Sequence, residues 1–112
     1  MTDQSSIQGR RYRAYRGEEY VTLSCDGRLI PLSESLAYRN HSPTGFEFGY
    51  AGSGPSQLAL AILLDCVGEK LALAFYQDFK FQFVSPEQSD ELVIYESEIK
   101  EWIQERQRVI SG

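Results

Sequence analysis

Apolar positions along this chain change period twice, and the changes mark out its elements. From Arg10 the pattern alternates: Tyr12 and Ala14 share one face while Arg11, Arg13 and Tyr15 share the other, as a half-buried strand requires. Gly17-Glu18-Glu19 then turns the chain, and Val21, Leu23 and Cys25 alternate with Thr22 and Ser24 in a second strand. Asp26-Gly27 is a two-residue hairpin signal, because both residues tolerate the positive φ such a turn demands. Leu29, Ile30 and Leu32 return as a third strand, which Pro31 confines to an edge or ends early. These three make an antiparallel meander. From Ser33 to Asn40 the pattern is weak, and the alternation of Leu36 and Tyr38 suggests a short strand. Residues 45–54 hold four of the nine glycines, and Phe46, Phe48 and Tyr50 alternate there as in a strand that lets another backbone or a ligand come close.

The period then lengthens. Pro55 suits a first helical position with Gly54 as N-cap, and Leu58 to Val67 is apolar nearly all round, the mark of a buried central helix. Gly68 stops it. Leu71, Ala72, Phe75, Tyr76, Phe79 and Phe83 predict a second helix from Glu69 to about Val84, although Phe79, Phe81 and Phe83 also fit a strand. Ser85-Pro86 ends that element. Leu92-Val93-Ile94 predicts a short strand. Glu96 to about Ile110 predicts an amphipathic helix with Ile99, Trp102, Ile103 and Ile110 on its apolar face. Residues 1–9 read as a flexible tail and 10–112 as one domain. The expected fold is α+β: a small antiparallel sheet of three or four strands packed against about three helices.

Composition narrows the function more than the fold. With 42% hydrophobic residues in 112, the chain can bury a core without disulfides or metal. The formal net charge is −5, from +1 over residues 1–44 (six basic, five acidic) and −6 over residues 45–112 (five basic, eleven acidic). That balance disfavours generic nucleic-acid binding, since phosphates repel it at long range. Arg10, Arg11, Arg13 and Arg16 are the local exception, and read as charges guarding an edge strand against aggregation. Cys25 and Cys66 form no Cys-x-x-Cys pair, and the longest apolar run, Leu58 to Leu64, is too short to span a bilayer. The expectation is a cytoplasmic protein with both thiols free and no membrane association. Oligomeric state is left open.

Candidate chemistry concentrates in residues 40–57. There the only histidine, several small hydroxyls, glycines and a glutamate run straight into a helix start, where backbone N–H groups lack acceptors and the dipole favours an anion. The candidate ligand-binding residues are His41, Ser42, Thr44, Glu47, Tyr50, Gly52, Ser53, Gly54 and Gln57. Against this, glycines and prolines also serve a strand-to-helix turn for geometry alone. The segment is neither a phosphate-loop motif nor a dinucleotide fingerprint, so no cofactor is expected. A hydrolase reading makes His41 a general base oriented by Glu47, with Ser42 or Ser53 as nucleophile, but no nucleophile-elbow motif accompanies it and no catalytic residue is assigned. One histidine and two separated cysteines come close to excluding structural zinc, and a carboxylate-only magnesium site on Glu47 and Asp65 stays open without spacing support.

The stretch His41-Ser-Pro-Thr-Gly-Phe-Glu-Phe-Gly-Tyr-Ala-Gly-Ser-Gly-Pro-Ser-Gln-Leu-Ala-Leu60 resembles the signature of an uncharacterised bacterial and phage family, a domain of unknown function. The blocks Phe75-Tyr76-x-x-Phe79-Lys80 and Glu98-Ile99-x-x-Trp102-Ile103 are similar too, extending the resemblance over most of residues 11–104. Phe48 stands where the family commonly has Trp. Tyr95 replaces a Ser or Thr cap worth about 1 kcal/mol. The resemblance implies a fold and no activity. The leading expectation is therefore an accessory domain that binds an anionic small molecule at residues 41–57. The alternative is a protein-interaction module, such as a phage or mobile-element factor binding a host protein through its acidic C-terminal half.

Overall fold

A computed structural model describes residues 8–111, with the side chain of Ser111 left out; most of the expected tail, residues 1–7, lies outside the described residues. Strands β1 (Arg11–Arg16), β2 (Val21–Cys25), β3 (Arg28–Leu29) and β4 (Glu91–Tyr95) form one antiparallel sheet in the order β3-β2-β1-β4. Asp26 (φ 51°) and Gly27 (φ 85°) make the β2–β3 turn in the conformation their side chains permit. The meander is present, and β4 joins it along the free side of β1. Helices α1 (Leu32–Leu36), α2 (Ser53–Val67), α3 (Glu69–Phe79) and α4 (Glu96–Ser111) complete the α+β fold, and a π-helical turn over Lys80–Val84 extends α3. No described helix is long and apolar enough to cross a membrane.

One sheet face presents Tyr12, Ala14, Val21, Leu23, Cys25, Leu92 and Ile94 to the helices, and all are buried. Residues Leu58 to Leu63 of α2 are buried without a break, so this helix is central, as its all-round apolarity predicts. Gly68 ends it at φ 89°, donating its N–H to Leu64 O. Trp102 closes the far side through edge-on contacts with Phe75, Phe79 and Phe83. The cap that Tyr95 cannot supply is replaced from within α4: Glu98 accepts the Tyr95 N–H at 2.8 Å, half of a capping box.

The structure departs from the sequence-based expectations at several places, each with a physical reason. Residues 33–40 hold a short helix rather than a strand, because the inward positions are Leu32, Ser35 and Leu36, a helical spacing hidden by the polarity of Ser35. Residues 45–50 are no strand. Phe46 makes a single bridge to Val21, and Gly45 (φ 149°) and Gly49 (φ 94°) take the backbone out of the extended region. Gly49 instead donates its N–H to Val84 O, and a Cβ there would sit 2.9 Å from Glu87 O, so its bareness admits another backbone. Helix α2 begins with Gly52 as N-cap, two residues early, which puts Pro55 third in the helix; no intrahelical acceptor is missed there either. Ile110 is exposed, beyond the reach of the core.

β1 is interior to the sheet, so its arginines guard no edge; each is neutralised locally. Arg10 pairs with Glu96 and Asp65, and Arg11 and Arg13 pair with Glu91. Arg16 reaches Glu47 and Asp90 while donating to Phe48 O and Ser89 O.

Candidate functional site

Residues 39–45 are tied to α2 through one side chain. Gln57 is fully buried, and its Oε1 accepts the His41 N–H at 2.8 Å and the Ser42 N–H at 3.0 Å. Its Nε2 donates to Ser35 Oγ at 2.9 Å and Arg39 O at 3.0 Å, so all its hydrogen-bonding capacity is used inside the protein. Ser42 Oγ donates to Gly45 O at 2.6 Å, closing the turn over Pro43 and Thr44. Gln57 and Ser42 therefore position the loop. Thr44 points elsewhere, lining a groove at the sheet edge with Gly45 and Phe46.

The start of α2 is partly closed. Ser56 gives its N–H to Gly52 O, and Pro55 has none to give. A Cβ on Gly52 would meet the Tyr50 ring at 2.7 Å, and one on Gly54 would meet Glu47 Cβ at 2.7 Å, so these two side chains pack directly on the glycines. Ser53 remains exposed. Of the candidate set, His41, Ser42 and Gln57 converge, Tyr50, Gly52, Ser53, Gly54 and Glu47 form a second group at the helix start, and Thr44 stands apart.

Three residues of the following element complete this region. Helices α2 and α3 run antiparallel from Gly68, so the start of one meets the end of the other. His41 Nε2 and the Tyr76 hydroxyl share a 2.7 Å hydrogen bond, and Ser56 Oγ donates to Gln77 Oε1 at 3.1 Å. Ser53 lies one turn before Ser56 and Lys80 one turn after Gln77, so the hairpin brings both positions to the same end. Lys80 is only 8% exposed, and among the described residues its ammonium has neither a hydrogen bond nor an ion pair; it rests 4.2 Å from the Phe81 ring centroid. Sequence reasoning counted Tyr76 as core and passed over Gln77 and Lys80. A lysine four residues after a buried tyrosine, on a face otherwise apolar, was the available signal.

The hydrolase arrangement is not assembled. Ser42 spends its hydroxyl on Gly45 O, His41 meets Tyr76, and Glu47 lies over Gly54 and 3.7 Å from Arg16. Glu47 and Asp65 are separated along α2 by the eleven residues from Gly54, about 16 Å at helical rise. Among the described residues no three His, Cys, Asp or Glu side chains cluster for a metal.

A family model, described as a family of unknown function (DUF6166), matches residues 8–105. The chain belongs to DUF6166. No curated protein and no solved structure matches it. The DUF6166 match takes in the whole loop from His41 to Gln57, the Tyr76–Lys80 segment and the sheet beneath them.

A second polar centre in this DUF6166 chain lies at the opposite end of α2. Tyr12, fully buried, donates its hydroxyl to Asp65 Oδ2 at 2.7 Å, while Arg28 and Arg10 reach the same carboxylate at 3.0 and 3.5 Å. Burial and the Asp65 bond raise the Tyr12 hydroxyl far above its ordinary range. Burial pulls Asp65 upward, but the bonds from Tyr12 and Arg28 outweigh it and hold the carboxyl below its usual value. Hydrogen bonds from the Arg10 side chain and N–H, then Lys100, bring Glu96 down to about 2. Burial pushes Cys66 up to about 11 and Cys25 upward as well. Arg10 also donates to Asp65 O and Cys66 O, capping the end of α2 where the dipole is negative. These bonds make this centre a clasp between β1, α2 and α4.

Proposed function

We propose that this domain binds a small anionic ligand at the start of α2, with Lys80 as the charge that recognises it. The single observation behind this reading is Lys80 itself. Lys80 is nine-tenths buried as a residue, and among the described residues no carboxylate pairs with its ammonium, whereas buried lysines are ordinarily paired. A ligand carboxylate or phosphate would supply the missing partner. Ser53 offers a hydroxyl and an N–H at the helix start, and Gln77 offers its amide. His41, held by Gln57 from the loop side and by Tyr76 from α3, forms the rim. With Pro55 and Ser56 contributing no free N–H, the helix terminus alone is a weak anion site, which places the burden on Lys80.

Thermal shift against inorganic phosphate, nucleoside phosphates and dicarboxylates tests this, comparing wild type with Lys80→Met. A ligand at one hundred times its Kd adds about 2.7 kcal/mol of stability. The expected pattern is a ligand-dependent rise in Tm for wild type, absent in Lys80→Met, while unliganded Lys80→Met is itself more stable because the methylene stem is kept and the unpaired charge is gone. No shift with any of these anions, together with a destabilised Lys80→Met, would assign Lys80 to packing against Phe81 alone.

A further inference from the structure

The edge of the sheet carries a second surface, separate from the proposed anion site. β3 covers β2 only at Ser24 and Cys25, with one further bond from Ile30 N–H to Leu23 O at 2.9 Å. Pro31 then has no N–H to offer, and the chain leaves the edge for α1. The next backbone to meet β2 is Phe46, opposite Val21. The gap between these two contacts is a groove of about 300 Å³. Leu29, Pro31 and Leu32 form one wall and Thr44, Gly45 and Phe46 the other. Tyr20, in the β1–β2 turn, and Leu29, on β3, flank it at 65% and 64% exposure. A second hollow, of about 320 Å³, continues from it past Tyr20 and Thr22 and is lined by Glu18 and Glu19. Among the described residues, neither carboxylate has a cationic partner. The nearby strand arginines are engaged elsewhere: Arg28 holds Asp65 on the helix side of the sheet, and Arg13 holds Glu91.

We infer that this edge docks an extended peptide segment of a partner protein, one that places a bulky apolar side chain in the groove and a lysine or arginine beside Glu18 and Glu19. The apolar walls supply contact area, and the carboxylates of Glu18 and Glu19, without a cationic partner among the described residues, select for positive charge. A short, proline-ended edge strand is normally a guard against pairing; here it leaves an opening lined by apolar residues instead.

Selection of phage-displayed random heptapeptides on the immobilised full chain, followed by fluorescence anisotropy with the enriched peptide, tests the inference. The expected consensus is an apolar residue with a neighbouring basic one. Leu29→Asp and the double variant Glu18→Lys, Glu19→Lys should each weaken binding about tenfold or more, equivalent to about 1.4 kcal/mol. All three positions lie on the surface, so the variants keep the fold. Lys80→Met should bind the peptide as wild type does, which separates this surface from the anion site. Enrichment of no peptide, a consensus lacking basic residues, or binding indifferent to these variants would overturn it. So would a concentration-dependent dimer in sedimentation that Leu29→Asp dissolves, since a second copy would then be the occupant.

Discussion

Replacing Gln57 by Leu removes the one side chain that fastens residues 39–45 to the central helix. The substitution keeps side-chain volume close to constant, so the core is not opened, and the cost falls on the four hydrogen bonds. Arg39 O is exposed enough to find water, and Ser35 Oγ keeps its bond to Leu32 O. The N–H groups of Ser42, which is buried, and His41, which is half-buried, lose their acceptor. At about 1–3 kcal/mol for each buried donor left unpaired, the expected loss is about 3 kcal/mol. For a domain of this size about 4 °C accompanies each kcal/mol, so Tm should fall by about 12 °C. Circular dichroism melts give the global value, and hydrogen exchange gives the local one: the amides of His41 and Ser42 should exchange faster than the α2 amides do. Gln57→Glu supplies the companion measurement. Its carboxylate can accept from both amides but opposes Arg39 O, so the folded state favours the protonated form and raises that pKa. Stability of this variant should be greatest at low pH and decline as pH rises through the folded pKa. A Tm loss in Gln57→Leu below about 3 °C, the scale of an ordinary surface change, would refute the assignment of Gln57 as the fastening of the loop.

The other predictions concern packing, acid stability and thiol access. Gly54→Ala should lower Tm although alanine is the better helix former, because the new Cβ would lie 2.7 Å from Glu47 Cβ and 3.3 Å from Glu47 N; overpacking costs about 1–3 kcal/mol. A more stable variant would mean that the loop yields freely. Glu96, held at about 2 against an ordinary 4.5, contributes stability that is present above the ordinary value and lost as pH falls from about 4.5 toward 2. Acid unfolding of Glu96→Gln should therefore be flatter across that window, and an unchanged acid limb would deny the clasp its role. Cys25 and Cys66, both buried with raised pKa values, should resist thiol reagents at mildly alkaline pH and react fully once the chain is unfolded in urea. Fast labelling of native protein would contradict this.

What the sequence determined by itself is whatever depends on near neighbours. The alternation of Tyr12 and Ala14, the Asp26-Gly27 turn, the all-round apolarity of Leu58–Val67 and the stop at Gly68 each express a local backbone or burial preference, and each was legible. The candidate segment was legible as a place but not as a mechanism. Its glycines are explained by what lies against them: the Tyr50 ring on Gly52, Glu47 on Gly54 and the Glu87 carbonyl at Gly49. Only the tertiary structure decided that β1 lies inside the sheet with its arginines neutralised, because β4 arrives from about 80 residues away. It also decided that residues 45–50 follow long-range bonds from Val84, Gln88 and Arg16 rather than a strand ladder. It also folded α3 back along α2, so that Lys80 lies at the same end of the hairpin as the start of α2, and among the described residues no ion pair reaches it. Charge pairing and desolvation depend on distances in space, and periodicity along a chain carries no record of them.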